Sequence, residues 1–87
     1  MKLKEGVIVN EIDGQTLVVD GGSNRERFNG LIRMNKTAGF VVSLLQQETD
    51  MDAIVRALTE KYEVTAEVAR ANAAKVIDAL AGAGLLE

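Results

Sequence analysis

Asp13-Gly14 stands between two runs rich in β-branched residues, VIVNEI at Val7–Ile12 and QTLVVD at Gln15–Asp20. A two-residue connection between twisted strands needs φ > 0 at both central positions. Asp and Gly supply this at low steric cost, so the pair predicts a type I′ hairpin. A polar, glycine-rich loop, GGSNRER, follows over residues 21–27, and then a third short strand, FNGLIRM, over residues 28–34. Almost nothing separates that strand from what comes next. Asn35 is placed to cap a helix, KTAGFVVSLLQQ, whose apolar Phe40, Val41, Leu44 and Leu45 recur at helical spacing. Gly39 is expected to cost that helix up to about 1 kcal/mol.

Thr49 is the expected cap of a second helix, DMDAIVRALTEKY. Asp50 and Asp52 favour the positive end of its dipole, and Ile54, Val55, Leu58 and Tyr62 form its buried stripe. Thr65 is expected to cap a third helix over residues 66–81. Gly82 and Gly84 stop it, and Leu85-Leu86 fold back onto the core. Three strands followed by three helices predict an α+β fold: a three-stranded antiparallel sheet followed by three helices, winged helix-turn-helix-like in outline. At 87 residues the chain is expected to form a single domain over residues 1–87. A composition of 47% hydrophobic and 26% charged residues fits a packed chain rather than a disordered one.

The sequence has neither cysteine nor histidine. Thiolate nucleophiles, disulfides, zinc-finger and iron–sulfur ligation are excluded, and the commonest general base and metal ligand are missing. Asp50 and Asp52 are near neighbours, but in a first helical turn they read as capping and dipole residues. DGGSN at residues 20–24 lacks the spacing and the closing Glu of a calcium loop. The expectation is therefore no catalytic residue, no metal site, no cofactor and no enzymatic activity. MKLKEGVIV has an apolar run of only three residues, and no segment approaches a membrane span, so a cytoplasmic chain without membrane contact is expected.

Charge is unevenly placed. The first 36 residues hold six basic and five acidic side chains; the remainder holds four basic and eight acidic. A winged helix that binds DNA is the alternative reading, with the third helix as recognition helix and Arg25 and Arg27 as a basic wing. The third helix carries Glu67, Arg70, Lys75 and Asp78, net zero, and Glu26 divides the two arginines. DNA readers need a basic face there, so nucleic acid is disfavoured as a partner. A third reading is an interaction domain that uses the acidic second helix.

A three-stranded sheet leaves two edges, and an edge offers unpaired N–H and C=O groups to an extended peptide. The segments FNGLIRMNKTAGFVVSLLQQ, TDMDAIVRALTEKYEV and VIDALAGAGLLE carry a further signal. Asn35 at the strand end, Thr37-Ala38 at the helix start, the stripe to Leu44-Leu45, Tyr62-x-Val64 and Leu-x-x-x-Gly-Leu-Leu from Leu80 to Leu86 occur in an order that resembles the PqqD-like family. The resemblance spans nearly the whole chain. It implies a peptide-recognition element of a pathway that modifies ribosomally made peptides. The leader of the precursor docks as an added strand beside the third strand, in a groove closed by the third helix. The domain then presents it to a modifying enzyme, often a radical S-adenosylmethionine enzyme.

The expected peptide-binding residues are Arg27, Phe28, Leu31, Ile32, Arg33 and Met34 on the strand side. On the third helix they are Val68, Asn72, Lys75 and Ala79, which flank the core stripe Ala69, Ala73, Val76, Ile77 and Leu80. Small Ala79 leaves room for an apolar anchor, and Arg27, Arg33 and Lys75 suit acidic leader residues. Proline at Ile32 or Met34 is expected to damage the added pairing by removing a backbone N–H. The same strand edge is open to a second copy of the chain, as a homodimer. Val42 stands where related sequences often carry Trp, Asn72 where they carry Asp, and QQET where the quinone-pathway member has Asp-Gly. These departures point to a stand-alone relative that serves another peptide.

Overall fold

A computed structural model describes residues 1–20 and 31–87. Strands β1 (Val7–Ile12), β2 (Gln15–Asp20) and β3 (Leu31–Met34) are followed by helices α1 (Lys36–Leu44), α2 (Met51–Lys61) and α3 (Ala66–Gly82). This is the α+β order read from the sequence. The expected loop over residues 21–27 and the first three residues of the expected third strand lie outside the described residues.

The sheet is antiparallel throughout, in the order β1-β2-β3, so β1 and β3 are its edges. Asp13 and Gly14 have φ of 52° and 75°, the left-handed pair that a type I′ turn demands, and Ile12 faces Gln15 across it. Register then fixes the faces. Val9 pairs with Val18, and Val18 with Ile32; Thr16 pairs with Met34. Val18 and Thr16 are buried, and Val9, Ile32 and Met34 pack against the core from the same face. The helices cover that face and leave the other open.

Each helix begins at a polar cap. Ala38 N–H donates to Asn35 Oδ1 at 2.8 Å, and Val68 N–H to Thr65 Oγ1 at 3.1 Å, both as the sequence predicts. The cap of α2 is Asp50, not Thr49: Ala53 N–H donates to Asp50 Oδ1 at 2.8 Å. The Thr49 backbone instead donates to the Met1 carbonyl at 3.0 Å, which holds Thr49 outside the first turn. At the far end of α3, Gly84 takes φ 75°, Leu85 N–H donates to Leu80 O and Gly84 N–H to Ala81 O. This is a Schellman closure, and it turns buried Leu85 onto buried Leu80. Leu86 then bridges to Leu3, so the C-terminal segment folds back as expected.

The core joins Val41, Val42 and Leu45 of the α1 segment to Ile54, Val55 and Leu58 of α2 and to Ala69, Ala73, Val76 and Leu80 of α3. Phe40 and Leu44 are only half-buried, because α1 rolls Val42 rather than Phe40 inward. Tyr62 sits half-buried just past α2, its ring edge-on to Phe40 at 6.0 Å. Asp52 and Arg70 join α2 to α3 at 3.1 Å, but both are exposed and contribute less than about 1 kcal/mol.

Gly39 has a role beyond helix propensity. A Cβ there would overlap Thr16 Oγ1 and lie 2.9 Å from Thr16 Cβ. The missing side chain lets α1 seat directly on β2, over buried Thr16. Gly39→Ala therefore lowers the unfolding free energy by about 1–3 kcal/mol in urea denaturation, despite alanine's higher helix propensity. Trimming the opposing side chain with Thr16→Ala recovers part of the loss. Asp50→Ala costs about 1 kcal/mol, whereas Thr49→Ala stays within about 0.5 kcal/mol.

Candidate peptide-binding groove

The hairpin register determines which backbone groups of β3 are free. In a two-residue hairpin the flanking residues, here Ile12 and Gln15, exchange both hydrogen bonds, and bonded pairs recur at every second position. Gln15, Leu17 and Val19 thus turn their N–H and C=O toward β1. Thr16 and Val18 turn theirs toward β3, where their partners are Met34 and Ile32. The N–H and C=O of Leu31 and Arg33 are left pointing away from the sheet. Among the described residues nothing pairs with that edge.

The space beside this edge is bounded by helices. Asn35 ends β3 and caps α1 with no intervening loop. No Cα of β3 lies within 8 Å of one in α3, yet α1 touches both elements. The space between them lies against the first turns of α1, which continue directly from the end of β3 and face α3. A cavity of about 320 Å³ opens there, lined by Asn35, Thr37, Ala38 and Val41 from the strand–helix junction and by Asn72, Lys75 and Val76 from α3. Ala38, Val41 and Val76 give it an apolar floor. Asn35, Thr37, Asn72 and Lys75 give it polar groups that can bond to a peptide backbone or side chain. Lys75 is exposed and has no ion-pair partner among the described residues.

The residues expected from sequence are distributed unevenly around this space. Asn72 and Lys75 line the cavity. Ile32 and Met34 pack against the core beneath the sheet, on the face that the helices cover. Arg33 lies exposed on the opposite face, beside Ile12, Asp13, Gln15 and Leu17. Val68 and Ala79 are exposed on α3 and do not line the cavity; their helical spacing places them on the Asn72 flank, toward the two ends of the helix. Arg27 and Phe28 lie outside the described residues. Sequence reasoning did not single out Asn35, Thr37, Ala38 and Val41 as lining. The signal was present in the small pair Thr37-Ala38 at the helix start, one polar and one apolar, which leaves room above a groove floor.

The pairing also corrects the expected effect of proline. The amides of Ile32 and Met34 serve β2, so proline at either position breaks the sheet itself. The test residue is Arg33, whose N–H faces outward. Arg33→Pro preserves the dispersed amide spectrum of the folded chain, while Ile32→Pro loses a ladder bond and destabilises by roughly 1–3 kcal/mol or more, measured by urea denaturation.

The family model described as "Coenzyme PQQ synthesis protein D (PqqD)" matches residues 5–86. Two solved structures share the fold. TbiB1 in complex with the TbiA(beta) leader peptide superposes with a TM-score of 0.80 at 22% identity, covering 100% of this chain and 95% of that one. Lasso peptide synthetase B1 complexed with the leader peptide gives 0.75 at 24% identity, covering 97% of this chain and 93% of that one. At these identities the likeness establishes the fold. No curated protein matches the chain at a significant level.

Proposed function

We propose that this chain, which belongs to the PqqD family, captures the leader of a ribosomally made precursor peptide as a fourth strand on β3 and presents it to a modifying enzyme. The observation that carries the reading is the outward backbone of Leu31 and Arg33 on a strand that runs, through Asn35, directly into the cavity between α1 and α3. Main-chain hydrogen bonds at such an edge supply affinity, and pockets for alternate side chains supply specificity. The two structurally similar proteins are both complexes with leader peptides, which supports the same use here.

In this reading a small apolar side chain of the leader sits over Ala38, Val41 and Val76. A neighbouring leader carboxylate pairs with Lys75 and bonds to Asn72. Val68 and Ala79 extend the helical wall beyond the cavity, and Arg33 meets side chains on the outer face of the added strand. Arg27 and Phe28 precede the edge in sequence and are assigned to the same site. The chain does no chemistry of its own: without cysteine or histidine, its part is to hold the leader in one extended conformation. The reaction belongs to the partner enzyme, for which the family resemblance suggests a radical S-adenosylmethionine enzyme. No helix among the described residues is long and apolar enough to cross a membrane, and the reading places capture in the cytoplasm, where precursors are made. DNA binding gains no support, since Arg70 is engaged with Asp52 and α3 has no net charge.

Titration of the labelled chain with the leader of a precursor encoded beside it tests this. Amide shifts are expected to concentrate on Leu31–Met34, Thr37, Ala38 and the stretch from Asn72 to Val76. Arg33→Pro is expected to abolish them, and Lys75→Glu to weaken an acidic leader several-fold. Raising salt from about 50 to about 200 mM changes the affinity by less than about tenfold, because one surface ion pair contributes at most about 1 kcal/mol. Shifts on Arg70 with duplex DNA, lost steeply over that salt range, would replace this reading with the winged-helix one.

A further inference from the structure

The β1 edge is as open as the β3 edge and is longer, six residues against four. Its six residues pair with β2 without a bulge, and none is Pro, Lys or Arg. Its one charged residue is Glu11, and an unpaired edge of this length is a ready template for another strand. By the hairpin parity, Val9 and Glu11 turn their N–H and C=O outward, while Ile8, Asn10 and Ile12 bond to β2. On the open face, Ile8 and Ile12 are 49% and 54% exposed; with Val68 of α3 they are the most exposed large apolar side chains among the described residues. On the helix-covered face, a cavity of about 340 Å³ runs along β1, bordered by Val9 and Glu11 and by Lys36, Phe40, Lys61 and Tyr62. Lys61 Nζ sits 5.1 Å from the Phe40 ring centroid, and neither lysine is ion-paired among the described residues.

We infer that this edge takes the β1 strand of a second copy of the chain, in antiparallel register about a two-fold axis at Asn10. That register is the one in which β1 complements itself. Ile8 falls opposite Ile12 of the second copy, so the exposed isoleucines cover one another in both halves. Val9 falls opposite Glu11 of the second copy; both have outward backbone groups and exchange both hydrogen bonds. The Glu11 carboxylate of the second copy, opposite Val9, then joins the chain's own Glu11 at the cavity that holds Lys36 and Lys61, so two carboxylates face two lysines on the helix side. A shift of two residues, centring the pair on Val9, keeps the backbone bonds but sets Ile8 against Asn10 and Ile12 against Gly6. The two-fold axis runs through the sheet, so the result is a continuous six-stranded sheet with all helices on one side. Both β3 edges remain free at its outer ends. The dimer is isologous and closed, and offers no further edge of the β1 kind.

The register makes a direct test available, because the chain has no cysteine. Asn10 faces its own copy as a non-hydrogen-bonded pair, with Cα atoms about 4.5 Å apart, inside the range a disulfide spans. Oxidation of Asn10→Cys is expected to convert most of the chain to a covalent dimer at concentrations where the unmodified chain sediments as a dimer. Arg33→Cys, the matching exposed position on the β3 edge, is expected to stay monomeric. Ile12→Lys sets a charge against Ile8 of the second copy and shifts sedimentation to the monomer while the amide spectrum stays folded. Glu11→Lys does the same, and adding Lys36→Glu and Lys61→Glu to it restores the dimer. Equal cross-linking of Asn10→Cys and Arg33→Cys, preferential cross-linking of Arg33→Cys, or a chain that sediments only as a monomer up to millimolar concentration overturns the proposal.

Discussion

The fit of α1 onto β2 is the contact on which the rest depends. α1 is the one helix that touches every other element: all three strands and both remaining helices. It approaches that closely because Gly39 presents no side chain to Thr16. One helical turn carries both consequences. Val41 and Val42 enter the core, and Ala38 with Val41 forms the floor of the cavity that α1 shares with α3. The start of α1 is one wall of that cavity, and α3 is the other. The direct passage from Met34 through Asn35 into the helix couples the strand edge to that floor without a loop that could change their distance.

The sheet order has a parallel consequence. β2 is paired with a strand on each side, so among the described residues the open edges and their outward backbone groups belong to β1 and β3. The parity set by Asp13-Gly14 then decides which residues offer those groups: Val9 and Glu11 on one edge, Leu31 and Arg33 on the other. The two edges differ in what lies beside them. β3 runs through Asn35 into a cavity between α1 and α3 with an apolar floor and a single lysine, suited to an extended peptide. β1 faces two lysines and an aromatic pair on one side and exposed isoleucines on the other, suited to its own sequence.

Most of the architecture was legible because its signals are local. Asp-Gly between β-branched runs gave the hairpin, Asn35 and Thr65 gave two caps, and Gly84 followed by Leu85 gave the closure of α3. Thr49 and Asp50 show where local signals run out. Both are good caps, and a backbone contact to Met1 selects between them. Gly39 is a sharper case. Sequence gives it only a helix penalty, whereas its purpose lies in Thr16, which is distant along the chain. Within the site, Asn72 and Lys75 followed from helical spacing. The outward positions of β3 did not, because the connection from β2 leaves the register of the third strand unspecified until the pairing is seen. Arg33 was accordingly read by charge as groove lining, whereas its side chain lies on the far face and its backbone carries the edge.

The central claim is that Leu31 and Arg33 receive a peptide through their main chain. Amide hydrogen exchange at these two positions, with and without the leader peptide, measures this directly. Exchange at both is expected to be fast in the free chain and to slow strongly on binding, while the Ile32 and Met34 amides, already bonded to β2, change little. A leader that binds and leaves the Leu31 and Arg33 amides exchanging at their free rate would contradict strand addition at β3 and move the binding to side chains alone.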